Sequence, residues 1–370
     1  MDGVLTAAVP TPAPLQDPGG TLAVKLRESA SRSRVMSRRT ISFGAVCLLC
    51  CLTAGLSFGA GKKGAKKEAV KPSEKGVFWT DPGDIATRDI LHGPGGAGHV
   101  PQGPFTFDQE DLNGRSPKFS VKSADGTMWT VKMGIEAQPE TAAARIVWAA
   151  GYYANEDYLL PEIQVQGLPA RLHRGQKEVG PNGAIRNVRL KREDEKKLGT
   201  WEWRNSPFEG TREFNGLRTL MAVINNWDLK DENNAVSEVN GQRVYLVSDL
   251  GASFGCAGRC WPTTHAKGDP EEYSESKFVR QTTPDAVSFE APSRPGVVRL
   301  SDPKEYRMRV HLEWIGQNIP RADAKWLGSL LARLSPDQLR EAFRAAGYQS
   351  QDVDEFAQVL RSRIAELNAL

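Results

Sequence analysis

Acidic residues and one asparagine in the middle of the chain have a spacing suited to phosphate chemistry. Asp228 precedes Asn233 by five positions, and Asp249 follows Asn233 by sixteen. Mg²⁺ prefers hard oxygen ligands and keeps several waters, so Asn233 and Asp249 are sufficient as candidate metal ligands. Phosphoryl transfer depends mainly on positioning and on neutralising charge. We therefore predict that Asp228 orients the hydroxyl of an acceptor and that Lys230 reaches the transferring phosphate.

The segments around these residues are predicted to form a helix, a loop and a β-hairpin. Residues 234–239 and 242–248 are strand-like and are separated by Asn-Gly, which tolerates the positive φ angles of a type I′ turn. Such a hairpin returns the chain to its starting end, which would bring Asn233 close to Asp249. Ahead of the loop, apolar residues at helical spacing predict a helix: Phe214, Leu217, Leu220, Met221 and Ile224.

A lysine near the end of a predicted strand is the candidate for contacting nucleotide phosphates. The strand-like run 128–133 contains Lys132. In phosphoryl-transfer sites such a lysine is oriented by an acidic residue on a helix, and Glu140 opens a predicted helix over 141–152. An acid in the first turn also stabilises the helix dipole on its own, and Glu136 is the other candidate partner. Lys132 itself has the alternative of a strand lysine directed to solvent.

The segment before the first of these strands is a candidate phosphate-binding turn. It reads Asp-Leu-Asn-Gly-Arg-Ser-Pro-Lys over 111–118 and has one glycine, Gly114, where glycine-rich loops have three. Backbone amides near Gly114 and the side chain of Lys118 could hold phosphate oxygens. The alternative is an ordinary tight turn.

These motifs together resemble the divergent protein-kinase-like superfamily that includes the HipA-like kinases and the spore-coat-protein and secretory-pathway kinases. The resemblance covers about residues 105–330 and is carried by 228–233 and 249–251. Three features depart from eukaryotic kinases: Asn226-Trp227 in place of His-Arg, Leu250 in place of Phe, and a spacing of only eight residues from Lys132 to Glu140.

The resemblance implies an α+β, bilobal protein-kinase-like fold with ATP and Mg²⁺ as cofactors. Residues 105–165 would form a small β-rich N-lobe, 166–205 an inserted hairpin and 206–370 a helical C-lobe. The implied reaction moves the γ-phosphate of ATP to a hydroxyl on a protein, lipid or small molecule. A catalytically silent pseudokinase of the cell envelope is the alternative interpretation. An interaction protein that binds no nucleotide is a third.

The N-terminal part of the chain differs in composition from the rest. Within 36–60, Arg38-Arg39 precede a long apolar run that is typical of a signal peptide or an uncleaved membrane anchor. Residues 1–35 are predicted to be an over-called N-terminal extension. Residues 61–104, rich in Lys, Gly and Pro, are predicted to be a disordered linker. The protein is therefore predicted to be exported and either periplasmic or anchored in the envelope.

Length, charge and cysteine content limit the remaining possibilities. The 370 residues, 39% of them hydrophobic, are enough for one large core or two modest ones. A net charge of +3 does not indicate nucleic acid as a partner. Cys256 and Cys260 are separated by three residues, and outside the cytoplasm they could close a disulfide loop. Two free thiols are the alternative.

Overall fold

The computed structural model describes residues 76–370 except 115, 194–195, 258–266 and 294–295. All described residues belong to one compact unit, within Lys62–Leu370. The predicted extension and the predicted signal or anchor segment therefore lie outside the described residues. Among the helices of the described part, none is long and apolar enough to cross a membrane.

The fold is mixed α/β, in agreement with the predicted combination of helices and sheets. The described strands are β1 Phe105–Asp111, β2 Lys118–Lys122, β3 Met128–Lys132, β4 Asp157–Gln166, β5 Ala184–Arg192, β6 Lys196–Gly199, β7 Asn234–Val239, β8 Gln242–Val247, β9 Val279–Thr282, β10 Ala286–Phe289 and β11 Ile319–Pro320. The described α-helices are α1 Ala137–Ala149, α2 Arg212–Val223, α3 Pro270–Glu275, α4 Gly296–Ser301, α5 Pro303–Leu312, α6 Arg321–Leu331, α7 Pro336–Ala345 and α8 Ser350–Asn368.

Five strands form a closed barrel in the order β1-β2-β3-β5-β4. Neighbouring strands are antiparallel except β1 and β4, which pair in parallel. Successive side chains of a strand point to opposite faces, and buried residues such as Phe119, Trp129 and Leu190 form one apolar cluster. Lys132 is the last residue of β3, so the barrel fixes the point from which its side chain extends.

Strand β5 belongs to this barrel, so the prediction of an inserted hairpin over 166–205 is wrong. It pairs with β3 on one side and with β4 on the other. Its residues Ile185, Val188 and Leu190 are fully buried in the barrel cluster. Arginine and lysine lie between these residues, so the local pattern resembled that of a solvated hairpin. A local pattern does not indicate whether a strand pairs on one side or on both.

The predicted hairpin is confirmed as β7 and β8 of a second sheet, β6-β7-β8. Asn240 and Gly241 have φ angles of 51° and 74°, and a type I′ turn requires positive φ at both central positions. The predicted helix ahead of the loop is α2, where the Thr211 side chain caps the N-terminus by accepting the N–H of Phe214 at 3.2 Å. The loop that contains Asp228 is therefore held between a capped helix and a regular hairpin.

Helix α1 shares a second apolar cluster, separate from the barrel interior, with α2, α3, α5, α6, α7 and α8. Phe254, just after the Asp-Leu-Gly turn, is fully buried there. Its ring centroid lies 5.4 Å from that of Tyr273, 5.0 Å from Phe343 and 5.8 Å from Phe356. The turn that carries Asp249 is thereby fixed to the helical core.

Residues 76–104 are ordered and packed, so the predicted linker over 61–104 is wrong for this part. Ile85 and Ile90 are fully buried, and the side-chain amide of Gln338 donates to the Ile85 carbonyl at 2.9 Å. The composition predicted disorder because apolar residues are few here. The few that are present are buried by contact with distant parts of the chain.

Candidate functional site

A buried lysine joins three carboxylates at the end of β3. Lys132 Nζ lies 2.6 Å from Glu140 Oε2, 3.1 Å from Asp249 Oδ1 and 3.2 Å from Glu136 Oε2. Both partners considered from the sequence therefore contact the lysine. Burial alone would lower the pKa of Lys132, but the neighbouring carboxylates raise it above its ordinary value. The ammonium group therefore remains charged although its side chain is only 3% exposed.

The start of α1 explains why two carboxylates of one segment meet this lysine. Lys132 ends β3, Glu136 is the N-cap of α1 and Glu140 lies in the first turn. Residues four apart on a helix lie on the same face, so both carboxylates can reach the strand end. The short spacing from Lys132 to Glu140 is accommodated because α1 begins at Ala137, five residues after the lysine.

Glu136 connects the lysine to two further segments of the chain. Its Oε2 accepts a hydrogen bond from the Ser116 hydroxyl, in the loop after β1, and its Oε1 pairs with Lys267 Nζ. Burial would raise the pKa of Glu136, but Lys132, Lys267 and Ser116 lower it overall. Ser116 lies in the candidate phosphate-binding turn 111–118 but was not itself predicted as a site residue, and Lys267 belongs to no predicted motif. Neither contact with Glu136 can be read from a local pattern, because the partners are 20 and 131 residues apart.

A second layer of buried charges lies behind Glu140. Arg189 of β5 donates to Glu140 Oε1 at 2.8 Å, and Arg145 Nη1 lies 3.2 Å from Asp157 Oδ1. Each of these four side chains is at most 3% exposed. Burial raises the pKa of Asp157 from 3.8 to about 6, although Arg145 and Arg189 oppose the shift. Sequence reasoning missed Arg189, which is one of several basic residues in a charged strand.

The raised pKa of Asp157 predicts a pH effect on stability that Asp157→Asn should remove. Below pH about 6 the native state binds a proton that the unfolded chain binds only near 3.8. The stability that this extra proton on Asp157 contributes is therefore fully present below the unfolded pKa of 3.8, and it is lost as the pH rises through about 6. Lowering the pH from about 7 to about 5 should raise the free energy of unfolding of the wild type relative to the variant by about 1 kcal/mol, because the full difference is reached only below the unfolded pKa.

Urea unfolding of the wild type and Asp157→Asn at the two pH values measures this difference. Because both proteins share all other titrating groups, the comparison isolates Asp157. Equal pH dependences of the two proteins would show that Asp157 is ionised in the native state at both values.

The hairpin brings the two predicted metal ligands together. The Asn233 carbonyl accepts the backbone N–H of Ser248 at 2.8 Å and of Asp249 at 3.0 Å. Asn233 Nδ2 donates to the carbonyl of Asp228, leaving the side-chain oxygen as a candidate ligand. The Asp249 side chain is 44% exposed. Burial would raise its pKa, but Lys132 lowers it to about 2, so Asp249 is ionised at neutral pH.

The two predicted catalytic side chains contact each other across the loop. Lys230 Nζ lies 2.6 Å from Asp228 Oδ1, and each side chain is about one third exposed, 34% and 33%. Asp231 differs, because its Oδ1 accepts the backbone N–H of Trp203 at 3.0 Å. The Asp231 carboxylate is therefore occupied by the Trp203 backbone. Asp228 is the carboxylate of this pair that an acceptor can approach.

Among its described residues, the loop after β1 contacts the carboxylates around Lys132 through Ser116. Gly114 has a φ angle of 71°, which favours glycine, and its carbonyl accepts a hydrogen bond from Arg174. Lys118 Nζ lies 3.2 Å from Asp111 Oδ2, so it pairs with the last residue of β1 and with none of the three carboxylates that contact Lys132. Ser116 is the residue that contacts Glu136, and the nucleotide-binding roles of Gly114 and Lys118 stay predictions.

Two solved kinase structures resemble this chain at low similarity. The Helicobacter pylori proinflammatory kinase CtkA has a TM-score of 0.38 and 11% sequence identity, covering 71% of this chain and 93% of that chain. The Golgi casein kinase has a TM-score of 0.32 and 10% identity, covering 73% of each chain. No family model and no curated protein matches the sequence. The function proposed below therefore depends on the contacts of the site residues themselves.

Proposed function

We propose that this chain is a kinase-like phosphotransferase that moves the γ-phosphate of ATP to a hydroxyl acceptor with Mg²⁺. The observation that carries the proposal is the contact of Lys132 with both Glu140 and Asp249, at 2.6 and 3.1 Å. In protein kinases a strand lysine, oriented by a helix glutamate, contacts the nucleotide phosphates, and a separate aspartate holds Mg²⁺. Here the end of β3, the first turn of α1 and the Asp-Leu-Gly turn supply these three side chains in that order.

The residues present fit a magnesium site. Asp249 offers a partly exposed carboxylate that Lys132 keeps ionised, and Asn233, whose backbone carbonyl accepts the Asp249 N–H, offers a side-chain amide oxygen. Mg²⁺ is usually held by one or two protein carboxylates together with waters and substrate phosphates. When bound, it would neutralise charge on the transferring phosphoryl group.

The acceptor side of the site is assigned to the loop between α2 and β7. Asp228 would orient the acceptor hydroxyl and take its proton, and a positioned base of this kind accelerates transfer. Lys230, already 2.6 Å from Asp228, would compensate negative charge between the acceptor and the transferring group. The proposed acceptor is a hydroxyl compound, and this class includes proteins, lipids and small molecules.

Two finer predictions are part of the same proposal. The barrel and the helical region, each with its own apolar cluster, would form the two lobes of a kinase-like fold. Export to the periplasm or envelope is proposed from residues 36–60, which lie outside the described residues.

Thermal unfolding of the full chain tests nucleotide and metal binding directly. A ligand that binds only the native state raises its stability, by about 2.7 kcal/mol at about 100 times Kd. We expect ATP with Mg²⁺ to raise the melting temperature of the wild type and to leave that of Asp249→Asn nearly unchanged. Glu238→Gln is the matched control, because this carboxylate lies on the same hairpin and pairs only with Lys196 in the described residues.

Each outcome separates the alternatives. A shift that needs Mg²⁺ and disappears in Asp249→Asn supports the metal assignment. A shift in the wild type without phosphate transfer to any acceptor would favour the pseudokinase alternative. If no nucleotide shifts the wild type, the phosphotransferase proposal is wrong and the interaction-protein interpretation takes its place.

A further inference from the structure

Lys267 is fixed in space by the residues that follow it. The N–H of Gly268 donates to the Ser253 carbonyl and the N–H of Asp269 donates to the Phe254 carbonyl, each at 3.0 Å. The chain that leaves the Asp-Leu-Gly turn therefore returns to the same place before α3 begins. Cys256, within this excursion, is disulfide-bonded, and its predicted partner Cys260 lies outside the described residues.

Gly268 allows this return point to pack directly on α1. Its φ angle is +62°, and a Cβ atom there would lie 2.2 Å from Tyr348 Oη and 3.1 Å from Pro139 Cδ. Pro139 is in the first turn of α1, beside Glu140. The absence of a side chain at Gly268 therefore lets the preceding residue, Lys267, stand next to the start of α1, where Glu136 is located.

Two ammonium groups consequently share the Glu136 carboxylate. Lys267 Nζ pairs with Oε1, and Lys132 Nζ lies 3.2 Å from Oε2. The two lysines differ in their other partners. Lys132 also contacts Glu140 and Asp249, whereas Glu136 is the recorded acidic partner of Lys267 among the described residues. Lys267 is also the more exposed of the two side chains, at 20% against 3%.

We propose that Lys267 is a second phosphate-binding residue, which exchanges Glu136 for the terminal phosphates of the bound nucleotide. This inference depends on the proposed function. A polyphosphate beside Lys132 and Asp249 carries several negative charges. Those charges attract the Lys267 ammonium group and can replace Glu136 as its partner. Hydrogen bonds between charged groups are about twice as strong as neutral ones. The ligand of this site is therefore a nucleoside triphosphate, and Lys267 binds its phosphates.

Comparison of ATP with adenosine isolates the phosphate contribution. The dissociation constants of both ligands are measured with Mg²⁺ for the full-length wild type, Lys267→Met, Lys267→Arg and Lys277→Met. Lys277 is an exposed lysine of the next segment, so Lys277→Met is a matched control for loss of one positive charge. We expect Lys267→Met to weaken ATP binding by about tenfold or more and adenosine binding by less than about twofold. Lys267→Arg should retain most of the ATP affinity.

The other outcomes overturn the inference. Unchanged ATP affinity in Lys267→Met would show that Lys267 stays on Glu136, and increased affinity would show that the pair hinders binding. Equal losses for ATP and adenosine would indicate a structural role. Wild-type protein that binds neither ligand would overturn the proposed function together with this inference, whereas wild-type binding that Lys267→Met preserves would overturn this inference alone.

Discussion

Asp228→Ala is expected to lower the rate of phosphoryl transfer by about 100- to 10,000-fold, the range over which a positioned general base contributes. The affinity for ATP and Mg²⁺ should be preserved, because neither Asp249 nor Lys132 contacts the Asp228 side chain. Asp228 is approachable from solvent at 33% exposure, so its removal leaves no buried charge and the fold should persist. Single-turnover transfer to an identified acceptor, beside ATP binding by calorimetry, separates the two quantities.

Glu232→Gln is the matched control for this experiment. Glu232 lies in the same loop and is exposed, so its substitution should leave both transfer and binding unchanged. A fully active Asp228→Ala protein would assign the orienting role to another group. The hydrogen bond from Trp203 to Asp231 makes Asp231 a poor replacement, because its carboxylate already holds the backbone.

Lys132→Met is expected to abolish measurable ATP binding and to destabilise the protein. Removing one member of a buried ion pair typically costs about 3–5 kcal/mol, because the remaining charge is left uncompensated. The cost here should lie near the lower limit, since Glu140 keeps Arg189 at 2.8 Å and the Asp249 side chain is 44% exposed. Urea unfolding without nucleotide measures the stability, and calorimetry at a temperature where the variant is folded measures the affinity.

Two companion variants make this result specific. Lys132→Arg keeps the charge but changes its geometry, so it should recover much of the stability while binding ATP poorly. Lys122→Met removes an exposed lysine at the end of β2 and should change neither quantity. If Lys132→Met binds ATP as the wild type does, the nucleotide site lies elsewhere in the protein.

Sequence patterns predicted the elements around the loop because those elements follow from local preferences. The Asn-Gly pair specified the turn between β7 and β8, and the helical apolar spacing specified α2. Once the hairpin was predicted, the proximity of Asn233 and Asp249 followed from strand geometry. The structure shows that proximity as hydrogen bonds from two backbone N–H groups to the Asn233 carbonyl.

Sequence patterns failed where burial depends on distant partners. The alternating charges of β5 resembled a solvated hairpin, although pairing with β3 and β4 places Ile185, Val188 and Leu190 inside the barrel. The Gly- and Pro-rich composition of 76–104 indicated a linker, although Ile85 and Ile90 are buried. In both segments a few apolar side chains determine whether the segment is buried. The average composition of a segment does not show the effect of so few residues.

The sequence by itself determined which residue types could perform phosphate chemistry and which helix, loop and hairpin carry Asp228, Asn233 and Asp249. The tertiary structure alone decided that Lys132 contacts both candidate glutamates together with Asp249, and that Lys267 shares one of them. Backbone preferences act over a few residues, so they can be recognised along the chain. The contacts of Asp249 with Lys132 and of Lys267 with Glu136 instead join positions more than a hundred residues apart, which only the folded chain brings together.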